Sequence, residues 1–136
     1  MSDCIFCKII DGEIPSYTIY EDEDFKVILD AFPGALGHTL ILPKEHIADV
    51  FCMDSLKLGL IHQLAGKIAE AIKDVCHCDG VNILQNNGIA AGQTVFHYHI
   101  HIIPRFDDDG MRFGWATKKF SNEELESIRV LLTKKI

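Results

Sequence analysis

The sequence predicts an α+β fold: a mostly antiparallel five-stranded sheet with one long helix packed on it, plus short N-terminal and C-terminal helices. Two observations predict it. Five segments rich in β-branched and aromatic residues are separated by turn signals, and one segment, 54–75, has the three-and-four apolar spacing of an amphipathic helix. The length of 136 residues suits a single domain over 1–136.

The first elements along the chain are a short helix and a hairpin. A helix is expected after Asp3, which can cap its N-terminus, and before Gly12, which can end it. Runs of β-branched and aromatic residues at 16–20 and 25–29 flank four consecutive acidic residues. This arrangement is typical of a β-hairpin.

Three further strands complete the predicted sheet. We expect a third strand over 38–42, a fourth over 81–85 and a fifth over 95–103. Proline follows the third and fifth segments directly, at Pro43 and Pro104. We expect each proline to end its strand, since proline cannot donate to a strand ladder.

Two helices are predicted from periodicity and capping residues. In 54–75 the apolar side chains step by three or four positions, and Asp54 is a suitable N-cap. Near the C-terminus, Ser121 and Glu124 have the spacing of a capping box ahead of spaced apolar residues. This predicts a C-terminal helix.

Charge and composition exclude several kinds of partner. The net charge of −7 disfavours non-specific binding to nucleic acid or to an anionic membrane surface. No apolar run reaches the ~18 residues of a membrane helix, and the first residues have no basic, signal-like segment, so we expect a cytoplasmic protein. Five cysteines favour reduced thiols or a metal site over a disulfide scaffold.

Three histidines alternate along the predicted fifth strand. An ideal strand would place His97, His99 and His101 on one face and the intervening apolar residues in the core. The residues alone leave three interpretations open: an exposed strand face, a three-histidine metal site, or a neutral imidazole acting as a nucleophile. The preceding glycine-rich loop favours the third, because it can cradle phosphate with backbone N–H groups and polar side chains, namely Asn86, Gln93 and Thr94.

The N-terminal cysteine pair has the spacing of a zinc knuckle. Cys4 and Cys7 are separated by two residues, but two ligands do not make a site. A thioredoxin-type redox motif would need a preceding strand, which three residues cannot provide. The alternative is two partly buried thiols.

The segment 92–103 resembles the signature of the histidine triad (HIT) superfamily, in which three histidines alternate with apolar residues and two more apolar residues follow. The resemblance covers a core over about residues 4–105, followed by a tail and helix over 106–136. His101 stands at the third histidine position, where the uridylyltransferase branch has Gln. That branch is therefore disfavoured.

The resemblance implies a purine nucleotide-binding hydrolase or nucleotidyl transferase without an organic cofactor. His99 would attack the α-phosphorus to form a nucleotidyl-histidine, and water would release the nucleoside monophosphate. His38 and His101 would line the phosphate pocket, and Thr94 would donate to a phosphate oxygen or to the leaving group. The resemblance places Asp30 at the ribose hydroxyls. It places further residues near the phosphate, namely Asn86, Gly92 and Gln93, or around the base, namely Ile5, Phe6, Ile9, Ile14 and Ile28.

The same resemblance implies a structural zinc ion held by Cys4, Cys7, His46 and His97. His97 would then have to turn away from the face of His99 and His101, which a bulge near the start of a strand allows. A homodimer formed by the long helix and the sheet edges is also implied. Three functions stay open: a phosphoramidase-like hydrolase acting on a purine nucleotide conjugate, a dinucleoside polyphosphate hydrolase, and a non-catalytic nucleotide-binding or adaptor protein.

Overall fold

The computed structural model describes residues 3–136. It contains one five-stranded sheet in the order β1-β2-β3-β5-β4, with every neighbouring pair antiparallel. The predicted α+β architecture is confirmed. The regular elements are α1 (Ile5–Ile10), β1 (Thr18–Glu21), β2 (Phe25–Leu29), β3 (Thr39–Pro43), α2 (Ser55–Cys76), β4 (Gly80–Leu84), β5 (Ile100–Arg105) and α3 (Asn122–Lys135), with short 3-10 turns at Val50–Cys52 and Ile89–Ala91.

The long helix α2 covers one face of the sheet. Asp54 caps its N-terminus by accepting the backbone N–H of Lys57 at 3.0 Å, as predicted. A stripe of buried side chains on α2 packs against the inward residues of the central strands, and fully burying each such side chain contributes about 1.5–3 kcal/mol. The stripe consists of Ile61, Ala65 and Ile72, and the strand residues include Val27, Ile41, Ile100 and Ile102.

The short helix α1 covers the opposite face of the sheet. Phe6 and Ile9 pack there against alternate residues of β2 and β3, namely Ile28, Leu40 and Leu42. The prediction that Asp3 caps this helix is wrong. Cys4 is the N-cap, and its sulfur accepts the N–H of Cys7 at 3.5 Å. The helix ends at Ile10, and Gly12, with φ +81°, turns the chain away from it.

The fifth strand is shorter than predicted at its N-terminal end. β5 begins at Ile100 rather than at residue 95, because longer-range bonds hold the segment before it. The N–H of Tyr98 donates to the carbonyl of Ile47 at 2.6 Å, and His97 donates from its ring to the carbonyl of Pro43 at 2.8 Å. His97 and His99 therefore lie outside the strand, and the prediction of three histidines on one strand face is wrong.

Pro43 and Pro104 were predicted to end the third and fifth strands from outside, but Pro43 is the last residue of β3, paired with Phe25, and Pro104 lies within β5. It is paired with Val81 of β4, whereas the pairing between β3 and β5 stops at Ile102. Because β3 has no residue opposite Pro104, the missing N–H breaks no ladder bond on that side.

The C-terminal helix α3 forms as predicted but packs against little else. Its capping box is complete: Glu124 N–H donates to Ser121 Oγ at 3.1 Å, and Ser121 N–H donates to Glu124 Oε2 at 2.7 Å. None of its side chains is buried, and its apolar face is exposed, at Leu125, Ile128 and Leu132. Within residues 3–136, no helix combines the length and the apolar character that spanning a bilayer requires.

Candidate active site

His38 lies at the end of a turn, immediately before β3, and is buried. The backbone N–H of Gly34 donates to its Nδ1 at 3.0 Å. A neutral ring that accepts at Nδ1 carries its proton on Nε2. The Nε2 of His38 lies 2.9 Å from the Nδ1 of His101, so His38 donates and His101 accepts.

His101 lies on β5 opposite Leu40 of β3, on the sheet face that α1 covers. Because its Nδ1 accepts from His38, its own proton resides on Nε2 and is free to be donated. Burial, reinforced by His99 and His38 nearby, lowers the pKa of His101 from 6.5 to about 4. Burial also lowers the pKa of His38, against the opposing effect of Asp30. Both rings are therefore neutral at pH 7.

Asp30 follows β2 and lies beside this histidine pair. Its Oδ2 is 3.3 Å from His38 Nε2 and 3.9 Å from His101 Nδ1, and its Oδ1 accepts the N–H of Phe32 at 2.9 Å. The carboxylate thus fixes the turn after β2 and faces the histidines. Each oxygen keeps accepting capacity for a further donor, as binding to ribose hydroxyls would require.

His99 is buried with one ring nitrogen committed to the backbone. Its Nδ1 lies 2.6 Å from the carbonyl oxygen of His97, and a carbonyl only accepts, so Nδ1 carries the proton. The Nε2 therefore holds a lone pair. The rings of Phe6 and His101 contact His99 with centroid distances of 4.9 and 5.0 Å. Burial lowers the pKa of His99, which keeps this lone pair available at neutral pH.

His97 points away from His99 and joins the cysteines. Its Nδ1 lies 3.4 Å from Cys4 Sγ and 3.6 Å from Cys7 Sγ, and His46 Nδ1 lies 3.3 Å from Cys7 Sγ. Tetrahedral zinc, with Zn–S near 2.3 Å and Zn–N near 2.0–2.1 Å, requires sulfur–nitrogen separations of roughly 3.5 Å. The four side chains therefore already have the spacing of a zinc site.

Two clusters consist of residue types that can ligate a metal, and the hydrogen bonds of their outward-facing ring nitrogens distinguish them. These are Cys4, Cys7, His46 and His97, and Asp30, His38 and His101. A ligating imidazole normally donates its second ring N–H to an acceptor, as His97 Nε2 does to the Pro43 carbonyl. In the other cluster the second nitrogen of His38 faces a donor, the Gly34 N–H, so its inner nitrogen keeps a proton. The first cluster fits a metal, and the second is a hydrogen-bonded relay.

This division rules out the three-histidine metal site among residues 3–136. His97 clusters with two cysteines and His46, whereas His101 pairs with His38 and Asp30. As the predicted zinc site requires, the His97 side chain points away from His99 and His101. This orientation arises because the segment before β5 is irregular, and a bulge inside the strand is not involved.

The loop before His97 has two glycines in the left-handed region of φ, Gly88 at +88° and Gly92 at +90°. Gln93 is buried and braces this loop. Its Oε1 accepts the Gly88 N–H at 2.8 Å, and its Nε2 donates to the carbonyls of Ala48 and Val95. Both amide hydrogens are used, so the structure does not support Gln93 as a side-chain donor to phosphate. Asn86 Nδ2 lies 3.6 Å from the position of a Cβ on Gly92, so it sits against this turn.

The remaining predicted residues divide between an open cavity and the core. Thr94 lines a cavity of about 400 Å³ together with Ile5 and Phe96, beside the cysteine cluster. Ile9 and Ile28 are buried beneath α1, where core packing accounts for them, and Ile14 packs at the edge of that cluster. Phe6 belongs to the same cluster and also touches His99. The assignments of all these residues to nucleotide binding stay predictions.

Sequence reasoning missed two residues next to the histidine relay. The Gly34 N–H sets the proton position on His38, and Met111, from the segment after β5, contacts Gly34. The sequence Pro33-Gly34 predicts a turn, but which ring nitrogen of His38 accepts the Gly34 N–H depends on the folded structure. The approach of Met111, 77 positions further along the chain, left no signal in the pattern.

Comparison with known proteins agrees with this geometry. A HIT domain family model matches residues 11–108. A crystal structure of a HIT family member from Bacillus subtilis superimposes with a TM-score of 0.92 at 43% identity, over 98% of this chain and 97% of that chain. Adenosine 5′-monophosphoramidase hnt1 of Schizosaccharomyces pombe is 37% identical over 98% of each chain. The chain belongs to the HIT family.

A further similar structure is that of a zinc-bound histidine triad family protein from Mycobacterium smegmatis. It has a TM-score of 0.78 and 36% identity, over 99% of each chain.

Proposed function

We propose that this protein is a phosphoramidase-like nucleotidyl hydrolase that releases a purine nucleoside monophosphate through a covalent intermediate on His99. The observation that carries the proposal is the 2.6 Å contact between His99 Nδ1 and the carbonyl of His97. It fixes the ring so that Nε2 is the unprotonated, nucleophilic atom. Membership of a family with a named phosphoramidase supports hydrolysis at a nucleotide phosphorus.

The relay from Gly34 to His101 suits the same reaction. Because His101 Nε2 carries a proton, it can donate a hydrogen bond to a non-bridging phosphate oxygen as negative charge develops there. His99 Nε2 forms a bond to the α-phosphorus while the bond from phosphorus to the leaving amine breaks, and the amine takes a proton from water. A second water then attacks phosphorus and gives its proton to the hydroxide left by the first step, the P–Nε2 bond breaks, and the monophosphate leaves.

The test is a rapid-quench incubation with adenosine 5′-phosphoramidate, read by intact-protein mass spectrometry. We expect an AMP adduct in the wild type and in His62→Ala, which removes an exposed histidine of α2. We expect no adduct in His99→Ala. Absence of both adduct and AMP in the wild type, with nucleotide still bound, would contradict the proposal. Dinucleoside polyphosphates, the alternative substrates, would then be tested before a binding-only role is accepted.

The geometry also points to structural zinc held by Cys4, Cys7, His46 and His97. The sulfur–nitrogen distances of 3.3–3.6 Å and the bond from His97 to Pro43 support it. Burial lowers the pKa of His97 to about 4, so its Nδ1 is free for a cation. Burial raises the pKa of the Cys7 thiol, which a bound cation would oppose by favouring the thiolate.

A further inference from the structure

The chain after β5 folds into a turn held by Arg105. The guanidinium donates from Nε and Nη2 to the two oxygens of Asp109, at 2.8 and 3.0 Å, and from Nη1 to Asn82 Oδ1 at 2.7 Å. It also donates to the carbonyl of Met111, and Met111 N–H donates to Asp109 at 2.9 Å. Both backbone groups of Met111 are therefore fixed by this ion pair.

This turn places the Met111 side chain on the loop that precedes His38. A Cβ built on Gly34 would lie 2.5 Å from Met111 Cε and 3.8 Å from His38 Nδ1. The methyl group thus occupies the space beside Gly34, close to the nitrogen that accepts the Gly34 N–H. The end of β5 and the start of the relay are connected through this one side chain.

The loop that carries Gly34 is held at its far end, where Cys76 and Pro104 lie against Gly37, but its first half has few other contacts. Phe32 and Leu36 are 92% and 91% exposed, so they supply almost no packing. The other hydrogen bonds within the loop are Phe32 N–H to Asp30, His38 N–H to the Ala35 carbonyl at 3.1 Å and Asp30 N–H to the His38 carbonyl at 2.9 Å. From outside the loop, Cys76 Sγ donates to the Leu36 carbonyl at 3.8 Å, and neither this bond nor the closing bond at Asp30 involves Gly34. A loop with so few apolar contacts is easily displaced. The contact with Met111 is accordingly an important constraint on it.

We propose that Met111, fixed by Arg105 and Asp109, is a positioning residue that holds the Gly34 N–H on His38 and thereby sets the tautomers of His38 and His101. Without that N–H, His38 can carry its proton on Nδ1 and accept at Nε2. His101 must then donate from Nδ1, and its Nε2 presents a lone pair in place of a proton. A hydrogen-bond donor is thereby exchanged for an acceptor. The catalytic consequence rests on the proposed function, whereas the tautomer change does not.

The test compares Met111→Ala with Met111→Leu and with Arg112→Ala, a substitution of the exposed neighbouring residue. Two-dimensional ¹H–¹⁵N spectra of the histidine rings at neutral pH report which nitrogen is protonated. We expect His38 to carry its proton on Nε2 in the wild type, Met111→Leu and Arg112→Ala, and to populate the Nδ1 form in Met111→Ala. For adenosine 5′-phosphoramidate, Met111→Ala should lower kcat about tenfold with little change in KM.

Two results would overturn the proposal. One is an unchanged His38 tautomer in Met111→Ala. The other is a raised KM with unchanged kcat, which would make Met111 only a substrate contact. Failure of the proposed function has a different signature, because the wild type itself would then show no turnover. The ring spectra need no substrate and would still decide whether Met111 sets the tautomer.

Discussion

At the scale of single residues, the partner of one ring nitrogen decides what each histidine can do. His97 donates from Nε2 to Pro43, which leaves Nδ1 for the cysteine cluster. His99 donates from Nδ1 to the carbonyl of His97, which leaves Nε2 unprotonated. Two histidines of one sequence motif thus have opposite tautomers. Nδ1 is unprotonated in one ring and Nε2 in the other, as the proposed zinc site at His97 and the proposed nucleophile at His99 require.

The lowered pKa of His101 predicts an acid-dependent loss of stability. The ring takes up a proton near pH 4 when folded and near 6.5 when unfolded. Between these values the unfolded state binds more protons, so the free energy of unfolding falls as the pH falls. Urea unfolding at pH 7 and pH 5 should show a decrease that is about 2 kcal/mol smaller in His101→Gln than in the wild type.

The control for this measurement is His62→Gln, which changes an exposed histidine. It should lose as much stability as the wild type over the same pH interval. Equal losses in wild type and His101→Gln would show that His101 is not held neutral by the fold.

The histidines that the structure brings together were predicted from the sequence, but their proton positions were not. Alternation of His97, His99 and His101 marked the site because this pattern has no packing value on an apolar strand. The tautomers depend on the Pro43 carbonyl and the Gly34 N–H, which lie 54 and 4 residues from the rings they contact. Gln93 shows the converse. The sequence suggested that its side-chain amide could donate to phosphate, but in the structure the amide donates to the carbonyls of Ala48 and Val95.

At the scale of elements, strand and helix types were predictable, but several boundaries were not, above all the start of β5. The alternating residues 95–99 have strand character, and a local pattern cannot show that Tyr98 bonds to Ile47 instead of a neighbouring strand. Because strand pairing begins only at Ile100, His97 can turn toward the cysteines at α1. The helix has only six residues, too few to be stable alone, so its position depends on burial and on the cysteine cluster.

Removal of zinc should therefore loosen α1 and lower the stability. The proposed ligands Cys4 and His97 are 93 residues apart, so a bound ion would close a long loop in the folded chain. We expect about one zinc per chain in the purified protein. Chelation, or Cys7→Ser, should lower the melting temperature by at least about 4 °C, which corresponds to roughly 1 kcal/mol or more.

Exposed Cys52 provides the matched control for the zinc experiment. Cys52→Ser should keep both the zinc and the melting temperature of the wild type, and chelator should have no further effect on Cys7→Ser. A wild-type protein that contains no zinc and is insensitive to chelator would show that the cluster is only two thiols hydrogen-bonded to imidazoles.

At the scale of the whole molecule, the β4 edge of the sheet packs against α2 and carries an exposed apolar side chain. On β4, Ile83 is 47% exposed and lies on the same sheet face as Val81, which packs into the core under α2. Exposed apolar residues of α2, Leu56 and Leu60, extend the apolar surface of the chain on this helix. An edge strand beside a partly uncovered helix is a ready surface for pairing with a second copy.

We therefore expect a homodimer that pairs through β4 and α2, and expect charge on β4 to disrupt it. Ile83→Glu should convert the dimer to a folded monomer in sedimentation velocity, because the dimer would have to bury an unpaired carboxylate. Ile19→Glu is the matched control: Ile19 is 48% exposed on β1, the opposite edge, and this variant should stay dimeric. Far-UV circular dichroism would establish that both variants are folded. Loss of the dimer in Ile19→Glu alone would place the interface at β1, and a monomeric wild type would mean that the exposed apolar residues of β4 and α2 do not join two copies of the chain.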